Sequence, residues 1–125
     1  MEITRGAFYL ADLNPRRSTE PGKTRPVLVI QSDLLTRAGH PSCIVLPLTT
    51  NVQSDAEPLR VRVSAGHPGF DVDSDVMIDQ IRAIDNRRLF RGDTDALIKK
   101  IAPAETGVLS EIERCLSLVL DLKER

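Results

Sequence analysis

An arginine held on stiff backbone and a cluster of hydroxyls are the features of this chain whose residue types could do chemistry. The segment Glu20-Pro21-Gly22-Lys23-Thr24-Arg25-Pro26 closes a polar stretch and opens an apolar run. Pro21 and Gly22 fix a turn, and Pro26 restricts Arg25 to extended backbone. A guanidinium so held could clamp a phosphate by two parallel hydrogen bonds. The same residue also reads as a surface arginine paired with Glu20 or Asp33. A second cluster, Pro47-Leu48-Thr49-Thr50-Asn51, places hydroxyls and an amide at the end of another apolar run. Threonine and asparagine serve equally as strand-end caps and turn formers. Other chemistries lack their motifs: there is no Gly-rich phosphate loop, Cys-x-x-Cys, His-Glu-x-x-His or Gly-x-Ser-x-Gly. A two-histidine acid–base nuclease would need His40 and His67. Both lie in Gly-His-Pro turns, within a repeated Ala-Gly-His-Pro, where a histidine is ordinarily solvated.

The elements that must position these residues are mostly strands. Ala7–Leu13 alternates and is stopped by Asn14-Pro15; residues 14–24 form a long polar loop. Pro26–Gln31 and Cys43–Leu48 are continuous apolar runs, so strands buried on both faces, with Pro26 confined to a strand start. If the two pair antiparallel, the start of one lies beside the end of the other, and Arg25 meets Thr49. Ser32–Ala38 holds a short helical turn. Leu59–Val63 alternates strictly, and Asp75–Ile78 and Gln80–Ile84 are short strands. Thr94–Lys100 reads as either a short helix or a strand. Beyond Pro103 the period becomes helical: Val108, Ile112, Cys115, Leu116, Val119 and Leu120 share a face, predicting a helix over Ala104–Leu122. Strands followed by one late helix, without β-α-β alternation, predict an α+β chain: mostly antiparallel sheet with a C-terminal helix packed on it, as a single domain over 1–125.

Net charge is −1, so the whole does not announce a polyanion partner, but the charge is segregated. Residues 87–100 carry 5 Lys/Arg against 2 Asp/Glu, whereas 51–86 carry 3 against 7. A basic face could form where 16–37 meets 87–100, although segregation this mild also suits an ordinary solvated surface. Four aromatics, Phe8, Tyr9, Phe70 and Phe90, are too few for a base-stacking platform. The two cysteines, Cys43 and Cys115, sit in apolar segments and read as buried thiols of a reducing compartment. No apolar run approaches a membrane span, and the N-terminal residues lack a signal-peptide pattern. A cytoplasmic protein is expected.

Five blocks in order carry a family resemblance: Arg5-Gly6; Tyr9-x-Ala11-Asp12-Leu13-x-Pro15; Glu20-x-Gly22-x-x-Arg25-Pro26-Val27-Leu28-Val29-Ile30-Gln31-Ser32-Asp33; Pro47-Leu48-Thr49-Thr50; and Asp79-Gln80-Ile81-Arg82-Ala83-Ile84-Asp85-x-x-Arg88-Leu89. Together they resemble the MazF/PemK family of toxin endoribonucleases, over nearly the whole chain. The resemblance implies an SH3-like, partly closed antiparallel barrel of the MazF/PemK/CcdB type, assembled as a homodimer. It implies metal-independent, ribosome-independent cleavage of single-stranded RNA, with no cofactor, leaving a 2′,3′-cyclic phosphate and a 5′-hydroxyl. It also implies inhibition by a cognate, MazE-like antitoxin. The family's catalytic arginine falls on Arg25, its threonine on Thr49 and its acidic loop residue on Glu20. RNA contacts are expected from Thr19, Arg16, Arg17, Lys23, Thr50, Asn51, Gln80, Arg82, Arg87 and Arg88. The family often has Gly-Ser before the acidic residue where this chain has Ser18-Thr19, and Phe90–Asp95 resembles a small extension. The dimer contact is expected from the apolar face of the final helix and nearby strand edges. Two rivals use protein binding instead: a gyrase-poison relative, which would rely on a terminal tryptophan this chain lacks, and a non-catalytic SH3-like module.

Overall fold

The computed structural model of the chain describes residues 3–14 and 23–122. Among the described residues, seven strands form one curled antiparallel sheet: β1 (Ala7–Asp12), β2 (Thr24–Val29), β3 (Ser42–Thr49), β4 (Arg60–Val63), β5 (Ser74–Met77), β6 (Arg82–Asp85) and β7 (Lys100–Pro103). The order is β4-β5-β3-β2-β1-β7, and β6 also pairs with β3. β3 is the pivot. One of its edges pairs with β2, and its other edge pairs first with β6 and then with β5. Pro47 sits where β3 has left β6 at Val45 and has not yet met β5 at Leu48. A residue without a backbone donor is tolerated at such a change of partner.

Period-2 alternation sorts the side chains into two cores. Ala7, Tyr9, Ala11, Val27, Val29, Cys43 and Val45 face one cluster, with Ile84, Leu89 and Phe90. Phe8, Leu28, Leu46 and Leu48 face the other, with Val61, Val63, Val76 and the helix residues Ile112, Cys115 and Leu116. β2 and β3 are therefore buried on both sides, as their continuous apolar runs predict. The short helix α1 (Asp33–Arg37) is capped by the Ser32 side chain, which accepts from the Leu34 N–H.

The final helix α2 spans Thr106–Val119, shorter at both ends than the predicted Ala104–Leu122. Its start is displaced because Lys100–Pro103 is a strand, paired with β1 through Ala7↔Pro103 and Phe8↔Ala102. Pro103 ends that strand instead of opening the helix. β7 passes so close to Gly69 that a Cβ there would lie 2.4 Å from Ile101 Cγ2, at a φ of +86° that also favours glycine. Ile112, Cys115 and Leu116 on the apolar face of α2 pack on the chain's own sheet, while Leu118 and Leu120 stay exposed. His67 departs from the solvated reading as well. It is buried, with ring contacts to Phe8 and Phe70, and its Nε2 accepts the Glu105 N–H where α2 begins. Its role here is in packing and capping. Among the described residues, no helix is long and apolar enough to cross a membrane.

Both cysteines are free and buried. Burial pushes the Cys43 thiol up to about 11, from an ordinary 9.0, and raises Cys115 in the same direction. Between those values the folded chain holds a proton that the unfolded chain releases, so stability falls as pH rises from about 9 to about 11. Urea unfolding at pH 8 and pH 10.5 should show a loss on the order of 2 kcal/mol from this group. The slope should shrink in Cys43→Ala, and an unchanged slope would place the titration elsewhere.

Candidate active site

The antiparallel register of β2 and β3, Val27↔Pro47 and Leu28↔Leu46, carries Arg25 to the side of Thr49 when continued outward by two residues. The backbone explains how Arg25 is held. Leu13 N–H donates to Lys23 O, and Ile30 N–H donates to Ile44 O. These bonds set the phase of the ladders: odd residues of β2 bond to β1, and even residues turn toward β3. Pro26 therefore presents its donorless nitrogen to β3, opposite Leu48, and the β2–β3 ladder stops there. The Leu48 carbonyl would be left without its ladder donor, but Arg25 Nη1 donates to it at 3.1 Å. The Arg25-Pro26 pair thus replaces one backbone hydrogen bond with a side-chain one and orients the half-buried guanidinium at the mouth of the sheet.

A recess of about 260 Å³ opens at this point, lined by Lys23, Thr24, Arg25, Pro26, Leu48, Thr49, Thr50 and Ser74. Among the described residues, its lining combines cations and hydroxyls with no carboxylate. The Thr49 hydroxyl oxygen accepts the Asn51 N–H at 3.1 Å, which turns the hydroxyl's own hydrogen away from that bond. Lys23 holds a left-handed φ of +65°, and its N–H is bonded by Asn14 Oδ1 at 2.8 Å. With the Leu13–Lys23 bond, this pins residues 14 and 23 side by side at the rim. The arrangement offers a fixed positive charge and several hydroxyl donors to an anion, which is what a phosphodiester would need.

Lys23, Arg25, Thr49 and Thr50 are brought together as the sequence predicts, with Asn51 beside them. Glu20, Thr19, Arg16 and Arg17 lie outside the described residues. Arg87 and Arg88 line a second recess with Asp12, Thr24, Phe90 and Arg91, and Thr24 belongs to both recesses. Both guanidiniums hold backbone carbonyls: Arg88 bonds Asp12 O and Asn14 O, and Arg87 bonds Gly92 O and Thr94 O. They brace the β1 end and the 90–95 segment, a structural duty that charge counting did not reveal. Gln80 ends a one-turn 3-10 helix, Ile78–Gln80, and Arg82 opens β6 opposite Val45 of β3; neither lines the Arg25 recess.

Sequence reading missed two residues. Ser74 enters the recess from the first position of β5, and the buried Asp75 follows it. The available signal was a lone acid in an apolar strand, set against the alternating Arg60-Val61-Arg62. Such an acid requires paired cations when buried.

A family model for the PemK-like, MazF-like toxin of type II toxin–antitoxin systems matches residues 4–120. The chain belongs to this PemK/MazF toxin family. It is 37% identical over 122 residues to endoribonuclease EndoA of Bacillus subtilis, covering 98% of this chain and 97% of that protein. Among solved structures, MazF of Deinococcus radiodurans superposes with a TM-score of 0.72 at 25% identity, covering 94% of this PemK/MazF chain and 96% of that one. A mycobacterial endoribonuclease in complex with its cognate antitoxin shares the fold, with a TM-score of 0.68 at 20% identity and full coverage of both chains. The curled half-barrel with one late helix is thus the architecture of MazF toxins.

Proposed function

We propose that this chain is the toxin of a type II toxin–antitoxin system, an endoribonuclease that cuts single-stranded RNA at the Arg25–Thr49 recess. The observation that carries the reading is the convergence of a guanidinium and a threonine hydroxyl at the paired ends of β2 and β3. Kinship to a protein named an endoribonuclease, at 37% identity over nearly the full length, supports the class of reaction.

In this reading the nucleophile comes from the substrate. The RNA 2′-oxygen bonds to the adjacent phosphorus, the P–O5′ bond breaks, and the departing oxygen takes a proton to become the 5′-hydroxyl. The phosphate remains as a 2′,3′-cyclic ester. Charge builds on the non-bridging oxygens of the five-coordinate phosphorus, where Arg25 donates hydrogen bonds and full charge and Thr49 donates one bond more. An arginine is a poor proton acceptor at neutral pH, since its ordinary pKa lies above about 12. Glu20 is the proposed base. In this reading the guanidinium and the hydroxyls supply the charge stabilisation, and no metal takes part in the step. Residues 14–24 and 51–58 would read the bases flanking the cut, with Lys23, Arg16 and Arg17 on phosphates. The same reading makes it a cytoplasmic homodimer whose cognate antitoxin covers the recess. In EDTA, the purified protein should cut a long single-stranded RNA into discrete fragments. RNA left intact across varied sequences would favour action by protein binding.

A further inference from the structure

The residue that immobilises the β3–β4 connection is a buried carboxylate one strand away from the recess. Asp75 is 1% exposed and lies opposite both Thr49 on β3 and Arg62 on β4. Its Oδ1 accepts Arg62 Nε at 2.6 Å. Its Oδ2 accepts the Gln53 backbone N–H at 2.8 Å and Arg60 Nη1 at 3.3 Å. The two arginines then reach the same piece of backbone from the other side. Arg60 Nη1 donates to Asn51 O at 3.3 Å, and Arg62 Nη2 donates to Gln53 O at 3.4 Å. Three backbone groups of residues 51–53 are thereby tied, directly or through one guanidinium, to a single side chain. Asn51 in turn donates to the Thr49 hydroxyl oxygen. A burial this complete would be costly for an unpaired carboxylate. A strand-capping role would need one of these bonds, not the whole set.

We propose that Asp75 is a positioning residue for the endoribonuclease reaction. Acting through Arg60 and Arg62, it fixes residues 51–53, so that Thr49 presents its hydrogen to the scissile phosphate and the 51–58 segment meets the flanking bases in one register. This rests on the endoribonuclease reading above. Release of the segment would loosen both functions together: turnover falls because the Thr49 donor loses its fixed direction, and discrimination between sites falls because the reading surface becomes variable. Arg25, held by Leu48 O, is not part of the network, so cleavage persists.

The test maps fragment ends from one long single-stranded RNA cut by wild type, Asp75→Asn and Arg62→Gln. It also measures kcat and KM on the preferred site. Arg62 is half-exposed on the surface, so its variant keeps the question open to test if Asp75→Asn does not fold. The expected result is a kcat lowered roughly tenfold and a spread of cuts into sites that wild type leaves alone. Variants that melt normally and cut with wild-type site ratios and wild-type kcat would overturn the proposal while leaving the ribonuclease in place. A wild type that leaves every RNA intact would overturn the ribonuclease reading, and this inference with it.

Discussion

Arg25→Ala lowers the RNA cleavage rate by about 10²–10³, the usual loss for one preorganised donor at a developing oxyanion. The guanidinium is placed by its bond to Leu48 O, which exists because Pro26 has no N–H to give that carbonyl. Loss of the side chain therefore removes the charge facing the phosphorus and leaves one strand-end carbonyl to water. The second effect costs only about 1 kcal/mol of stability, so the melting temperature should fall by only about 3–4 °C. Arg25→Lys should recover part of the rate: the charge remains, but an ammonium cannot offer the planar pair of donors. Initial rates on a short fluorogenic RNA, measured beside thermal melts, separate the two effects. A loss smaller than threefold in a folded Arg25→Ala protein would remove Arg25 from the chemistry.

Phe8→Ala should have the largest effect on the fold. The Phe8 ring is fully buried between the sheet and α2, edge-on to Phe70 at 4.9 Å and to His67 at 5.7 Å. Its loss opens a cavity lined by two rings and the sheet face beneath α2, none of which can collapse without moving a backbone element. Destabilisation of about 3–5 kcal/mol follows from comparable buried aromatics. For a chain of this size that is a fall in melting temperature on the order of 10–20 °C. Calorimetry checks it. A fall of a degree or two would mean that the Phe8 cluster is loosely packed and that α2 is held by something else.

Legibility in the sequence followed the range of the interaction. The runs Pro26–Gln31 and Cys43–Leu48 could be read directly, because a strand buried on both faces leaves no polar alternation. Their antiparallel pairing then brought Arg25 to Thr49 by geometry alone. β7 was not legible. Lys100–Pro103 is four residues long and takes its strand character from β1, so only the tertiary partner reveals it. The start of α2 was misplaced for the same reason, since Pro103 suits a helix start and a strand end equally. Asp75 was passed over because its meaning depends on Arg60, Arg62 and Gln53, which lie 15, 13 and 22 residues away. Arg87 and Arg88 are expected among the RNA contacts, but the carbonyls that engage them come from turns whose shape no local pattern predicts. Residue types announced the candidate chemistry, whereas the supports that aim it are long-range.

The central claim is that the RNA supplies its own nucleophile at the Arg25–Thr49 recess. The most direct measurement uses one RNA with a preferred cleavage site and its twin carrying a single 2′-deoxynucleotide on the 5′ side of the scissile phosphate. The account predicts that the twin stays intact at that bond and is cut normally elsewhere. Cleavage of the deoxy bond at a comparable rate would contradict it, because the attacking oxygen would then have to come from water or from the protein.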